Sequence, residues 1–170
     1  KSIVLLKNDG DLLPIGGLKG CCVIGALAKT PRYQGAGSSR VNPKKLVDFL
    51  SAANASRSSG NEIPFAMGYR LHDSDGDPKA MALEAVDLAH ASKTVILFLG
   101  LPEEYEAEGF DRLNMLLPVE QIDLFNAIYK VNKNIVVVLS CGAPVELPFA
   151  SQARSIVLGY LAGEATGPAI

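Results

Sequence analysis

Apolar positions along the chain fall into two alternating patterns. Short, nearly unbroken apolar runs occur at residues 21–24, 65–69, 94–99, 135–139 and 156–161. Runs of this length, rich in Val, Ile, Leu and Phe, predict strands buried on both faces. Between them lie segments with apolar residues at helical spacing. Residues 43–53 open with Pro43 and carry Leu46, Val47, Phe49 and Leu50, predicting a helix that starts at the proline. Residues 77–92 begin with Asp77 as a cap and Pro78, then set Met81, Ala82, Ala85, Val86 and Ala89 along one face. Residues 118–131 place Pro118 and Glu120 in a first turn ahead of Ile122, Leu124, Phe125 and Ile128. Strands alternating with helices predict an α/β fold: a mostly parallel sheet of about five or six strands, helices on both faces, layered like flavodoxin. Stretches rich in Gly, Ser, Asn and Pro at 30–42 and 55–64 read as loops inside one domain. Residues 163–170 stop where another helix is due, so a covering element is expected to be missing.

Composition narrows the function classes. The 170 residues suit a single domain with a sizeable core. A net charge of −2 offers no cationic field for nucleic acid or an anionic membrane surface. The apolar runs are too short to span a bilayer. The chain does not open with Met, which leads to the expectation that it is part of a longer protein. Cys21, Cys22 and Cys141 have no CxxC spacing and leave an odd thiol, so neither a disulfide framework nor a zinc site is expected. That slightly favours a cytoplasmic setting over an oxidising one and leaves the compartment open. His72 and His90 have no partner at ligand spacing and read as surface or capping residues. No metal is expected.

Two segments carry candidate chemistry. The first, residues 103–112, holds Glu103, Glu104, Glu106 and Glu108 with Tyr105, Gly109, Phe110, Asp111 and Arg112. It directly follows the strand run at 94–99, and in open α/β sheets ligands gather outside the carboxyl ends of strands. A proton-transfer site and a solvated acidic loop are the two readings. Asp111 and Arg112 would pair and orient the glutamate. Crowding and burial would raise a Glu pKa, whereas Arg112 would lower it. The second segment, TPRYQGAGSSRVNP at residues 30–43, offers Gly35 and Gly37 for close backbone approach and Ser38, Ser39 and Arg40 as donors. A phosphate cradle, a loop for sugar hydroxyls and a surface turn all remain open. The third GxGxxG glycine and a Walker lysine are both lacking. Cys141, ending a strand run, lacks a nucleophile elbow and a base, so packing is its expected role.

The motifs SIVLLKNDGDLLP, VIG, RYQGAGSSRVNP, LPEEYEAEGFDR, NIVVVLSCGAPVELP and YLAGEATGPAI run colinearly through the chain. Together they resemble the C-terminal-side domain of family 3 glycoside hydrolases, the β-glucosidase-like enzymes. The resemblance implies a six-stranded α/β sandwich over residues 1–170, belonging to a larger enzyme. Its partner is an N-terminal TIM-like barrel that supplies an aspartate nucleophile and most contacts to the sugar. It implies retaining hydrolysis of a β-glycoside substrate, with Glu108 as acid/base and Glu106 or Glu104 as alternatives at that position. Ser38, and more weakly Ser39 and Arg40, would bind the sugar, and no cofactor is implied. The domain alone would be inactive, with a docking face that invites self-association as a homo-oligomer. The alternative from the residues alone is a non-catalytic carbohydrate- or nucleotide-binding α/β module.

Overall fold

The computed structural model describes every residue except Lys1, Ser58, Ser59 and Phe110. Two expectations, part of the 55–64 loop and the placement of Phe110, therefore lie outside the described residues. Six strands form one sheet: β1 (Val4–Asn8), β2 (Cys21–Ile24), β3 (Phe65–Ala66), β4 (Thr94–Gly100), β5 (Ile135–Ser140) and β6 (Ser155–Leu158), in the order β1-β6-β5-β4-β2-β3. From β3 through β6 all pairs are parallel, while β1 joins β6 antiparallel at the edge. The helices are α1 (Phe49–Ala55), α2 (Pro78–His90), α3 (Val119–Val131) and a short α4 (Thr166–Ala169). The α/β fold expected from the alternating pattern is the fold observed.

Strand alternation divides the sheet's two faces. Ile96, Val136, Val138 and Val157 face the side of α1 and α4, where Phe98 meets Phe49 with ring centroids 4.8 Å apart. The other face takes α2 and α3, which pack on each other, and there Phe125 stacks on Phe149 at 4.3 Å. The two coverings differ in extent. A groove of about 1000 Å³ remains between α1, α4 and the sheet, lined by Phe49, Ile96, Val136, Val138, Val157 and Ile170.

The run at 65–69 pairs as a strand only over Phe65–Ala66, and two further elements depart from the expectation. The first helix starts at Phe49 and not at Pro43, because Asp48 caps it by accepting the Ser51 N–H at 2.8 Å. The residues before it form no helix, and Val47 exchanges backbone hydrogen bonds with Glu164 and Gly167. Tertiary pairing there outweighs the local helical spacing. The second departure is β1, over an Ile-Val-Leu-Leu run at 3–6 that the strand expectation leaves out: its Val4, Leu5 and Leu6 are about half exposed, as befits an edge strand.

One side chain completes the sheet. β2 ends at Ile24, opposite Leu97, leaving Gly100 beyond its last partner on that side. The buried Gln121 amide in the first turn of α3 fills the place, accepting the Gly100 N–H and donating to the Gly100 C=O, both at 2.9 Å. Replacing Gln121 by Leu leaves both backbone groups buried and unanswered. We expect a loss of about 2–4 kcal/mol in urea unfolding at unchanged m-value. A variant as stable as the parent would show that the amide contributes nothing.

Candidate active site

Parallel pairing of β2 with β4 brings two loops to one rim of the sheet. After β2 the chain passes a turn at Ala26–Ala28, reaches Arg32, and folds the Gly-Ser segment into a second turn, Gly37–Ser39. After β4 it passes Leu101 and Pro102 into a tight turn, Glu103–Glu106, and then reaches Glu108. The Gln34 side chain braces the first loop from inside by bonding both the N–H and C=O of Val41 at 2.9 Å.

Three charged or polar contacts stitch the loops together. Glu108 receives the Ser38 backbone N–H at 3.2 Å, and the Ser38 hydroxyl lies 3.0 and 2.8 Å from its two carboxylate oxygens. Arg40 pairs with Glu103 at 2.8 Å, with both side chains largely exposed. Arg32 approaches Glu106 at 3.3 Å and donates to the Leu101 carbonyl at 2.6 Å. Unlike the other two contacts, this one is buried, each side chain being only about a tenth exposed. The Glu106 carboxylate also accepts the N–H groups of Gly142 and Ala143, just beyond β5, at 2.8 and 2.7 Å.

Glycine is required at position 37. Its φ of +83° is left-handed, and an added Cβ would lie 2.9 Å from a Glu108 carboxylate oxygen. The close approach expected of the Gly-Ser segment therefore serves a carboxylate of the same domain. A phosphate cradle is thereby disfavoured, since the Ser38 N–H is already taken by an anion that would repel phosphate.

Other expected site residues fall as follows. Glu108, Ser38 and Arg40 are brought to the same rim, with Ser39 exposed beside them. The expected Asp111–Arg112 pair does not form among the described residues. Arg112 turns instead to the Pro144 carbonyl at 2.8 Å, leaving Asp111 exposed. Arg112 consequently does not set the ionisation of Glu108. The Ser38 hydroxyl, and secondly its backbone N–H, hold the Glu108 carboxyl below the usual glutamate range. Glu104 and Tyr105 line two open recesses of about 490 and 430 Å³, the larger shared with Arg70, His72 and Glu120. Cys141 is buried, and burial followed by the neighbouring Glu106 charge pushes its thiol up to about 11, consistent with packing and not nucleophilic chemistry. Sequence reasoning missed Arg32, whose only signal was a lone basic residue close behind a buried strand.

Comparison with known proteins follows the same lines. The family profile of the glycosyl hydrolase family 3 C-terminal domain matches residues 3–170. Thermostable β-glucosidase B from Acetivibrio thermocellus is 41% identical over the full chain, which corresponds to 22% of that protein. An exo-α-(1→6)-L-arabinopyranosidase from Bifidobacterium longum is likewise 41% identical over the full chain and 23% of its own length. Among solved structures, the family 3 β-glucosidase of Bifidobacterium adolescentis superposes with a TM-score of 0.89 at 44% identity, covering 98% of this chain and 24% of that one. The chain thus spans less than a quarter of the length of these relatives.

The Ser38–Glu108 contact has a measurable signature. In Ser38→Ala the Glu108 carboxyl should titrate higher, toward the ordinary glutamate value, when followed by carboxylate NMR. Because the native pKa lies below the unfolded one, the stabilisation is present above the unfolded pKa and lost as pH falls through the native value. The stability gap between parent and variant should therefore be widest near neutrality and close in acid. An unaltered Glu108 titration in Ser38→Ala would refute this account.

Proposed function

Since the chain belongs to glycosyl hydrolase family 3, as its C-terminal domain, we propose that it brings the general acid/base Glu108 to a retaining glycosidase whose nucleophile lies in a partner domain. The observation that carries the proposal is the Ser38–Glu108 contact at the carboxyl rim of β2 and β4. The Glu108 carboxylate there is exposed, and opening its Ser38 contact would let it reach a substrate. Glu106 is not: it is buried with its oxygens facing Arg32 and two backbone N–H groups.

In the proposed first step the Glu108 carboxyl gives its proton to the glycosidic oxygen as the bond from that oxygen to the anomeric carbon breaks. The partner domain's aspartate forms the new bond to the same carbon. In the second step the Glu108 carboxylate takes a proton from water as the water attacks, and the aspartate is released. Two carboxyl groups about 5–5.5 Å apart are the usual geometry for this outcome. In the domain by itself Ser38 favours the ionised form of Glu108, which suits the second step. The first needs the proton. A partner domain closing over the rim would desolvate the carboxyl and draw its pKa upward. Ser38, once it releases Glu108, would be left with a hydroxyl for a sugar, with Ser39 adjacent. Arg40, held by Glu103, would serve mainly to keep the loop in place. The choice of sugar is left mostly to contacts beyond this domain, in keeping with relatives named for different sugars.

In the full-length protein, Glu108→Gln should lower kcat/KM on substrates with poor leaving groups on the order of 10²–10⁴-fold. Activated aryl glycosides, whose leaving groups need no proton, should lose far less. Equal losses on both substrate types, or none, would remove Glu108 from the role. The isolated domain, lacking a nucleophile, should show no turnover above the uncatalysed rate.

A further inference from the structure

Glu108 is placed by very little of its own. It sits in an exposed turn, followed by Gly109 at φ +81°, and its side-chain partner is Ser38. During proton transfer that contact must open so that the carboxyl can reach the leaving oxygen. Something else has to keep the backbone at 107–108 from drifting. The buried neighbour Glu106, separated from Glu108 by Ala107 alone, has the necessary anchors on three elements. Its first oxygen is held by the Gly142 and Ala143 N–H groups at the end of β5. Its second faces Arg32, which starts the Ser38 loop. Arg32 in turn grips Leu101, where the acid loop leaves β4.

Resting on the assignment of Glu108 as acid/base, we infer that Glu106, clamped by Arg32 and the β5 terminus, is the positioning residue that holds Glu108 at its reach while Ser38 is released. The two glutamates of the EAE triplet then divide the work: one is immobilised so that the other can move a proton. Misplacing a reacting group by even an ångström is costly, on the order of 10²-fold in rate, and a loop freed from its buried anchor would do so.

The test uses the full-length protein and compares kcat/KM on a dinitrophenyl glycoside with that on an alkyl glycoside. Glu106→Gln can still accept from Gly142 and Ala143 but loses its charge on Arg32, and so preserves the fold best. It should lose activity mainly on the alkyl substrate, and Glu106→Ala should lose more, on the order of 10²-fold. In the double variant Glu106→Gln/Glu108→Gln the alkyl-substrate loss should be no greater than in Glu108→Gln alone, because the first residue acts through the second. Uniform losses on both substrates, or losses that multiply in the double variant, would overturn the positioning role. If Glu108→Gln itself shows no dependence on the leaving group, the failure belongs to the acid/base assignment. If Glu108→Gln shows it and neither Glu106 variant does, only the positioning role falls.

Discussion

A guanidinium and a carboxylate withdrawn from water are costly unless each finds charge and hydrogen bonds in return. Arg32 and Glu106 meet that requirement in part: Arg32 Nη1 bonds the Leu101 carbonyl and Glu106 Oε1 accepts the N–H groups of Gly142 and Ala143, while Arg32 Nη2 and Glu106 Oε2 answer each other by charge alone at 3.3 Å. The strands alone would deliver loops from β2, β4 and β5 to one rim without fixing them to one another. This ion pair joins all three beneath the surface, and the exposed contacts above it inherit its geometry. Arg40–Glu103, exposed and solvent-screened, is a weak addition by comparison.

The same rim holds two carboxylates in opposite circumstances. Glu106 is buried and multiply bonded. Glu108, one residue removed, is open to solvent and answered by a serine. Environment and not residue type separates an anchoring glutamate from a chemically available one. Gly37 makes the difference material, since any side chain there would push into the carboxylate to which Ser38 donates.

Much of the scaffold is legible in the apolar pattern because β2, β4 and β5 are covered on both faces, which forces continuous hydrophobic runs. The start of α1 was not legible: Pro43 and the apolar spacing after it favoured a helix, but Asp48 caps later and Val47 is recruited by the segment around α4. Edge strand β1 carries its own apolar run at 3–6, but it pairs only with the distant β6 and leaves that run half exposed, so nothing local sets it apart as an edge. At the site, the positions of Glu108 and Ser38 follow from the strand-end rule and the family motifs. The partner of Arg112 does not, since Pro144 is distant in sequence and contributes a backbone carbonyl, invisible to any pattern of side chains. Gln121 and Arg32 are hidden for the same reason, each bonding main chain far along the sequence.

Ser38 and Glu108 lie 70 positions apart in the chain, and nothing local draws them together. The pairing of β2 with β4 brings them together, a long-range closure that carries an entropy cost local contacts do not. The Ser38–Glu108 contact is thus a property of the assembled sheet and not of either loop, and whatever loosens the β2–β4 seam loosens the rim with it.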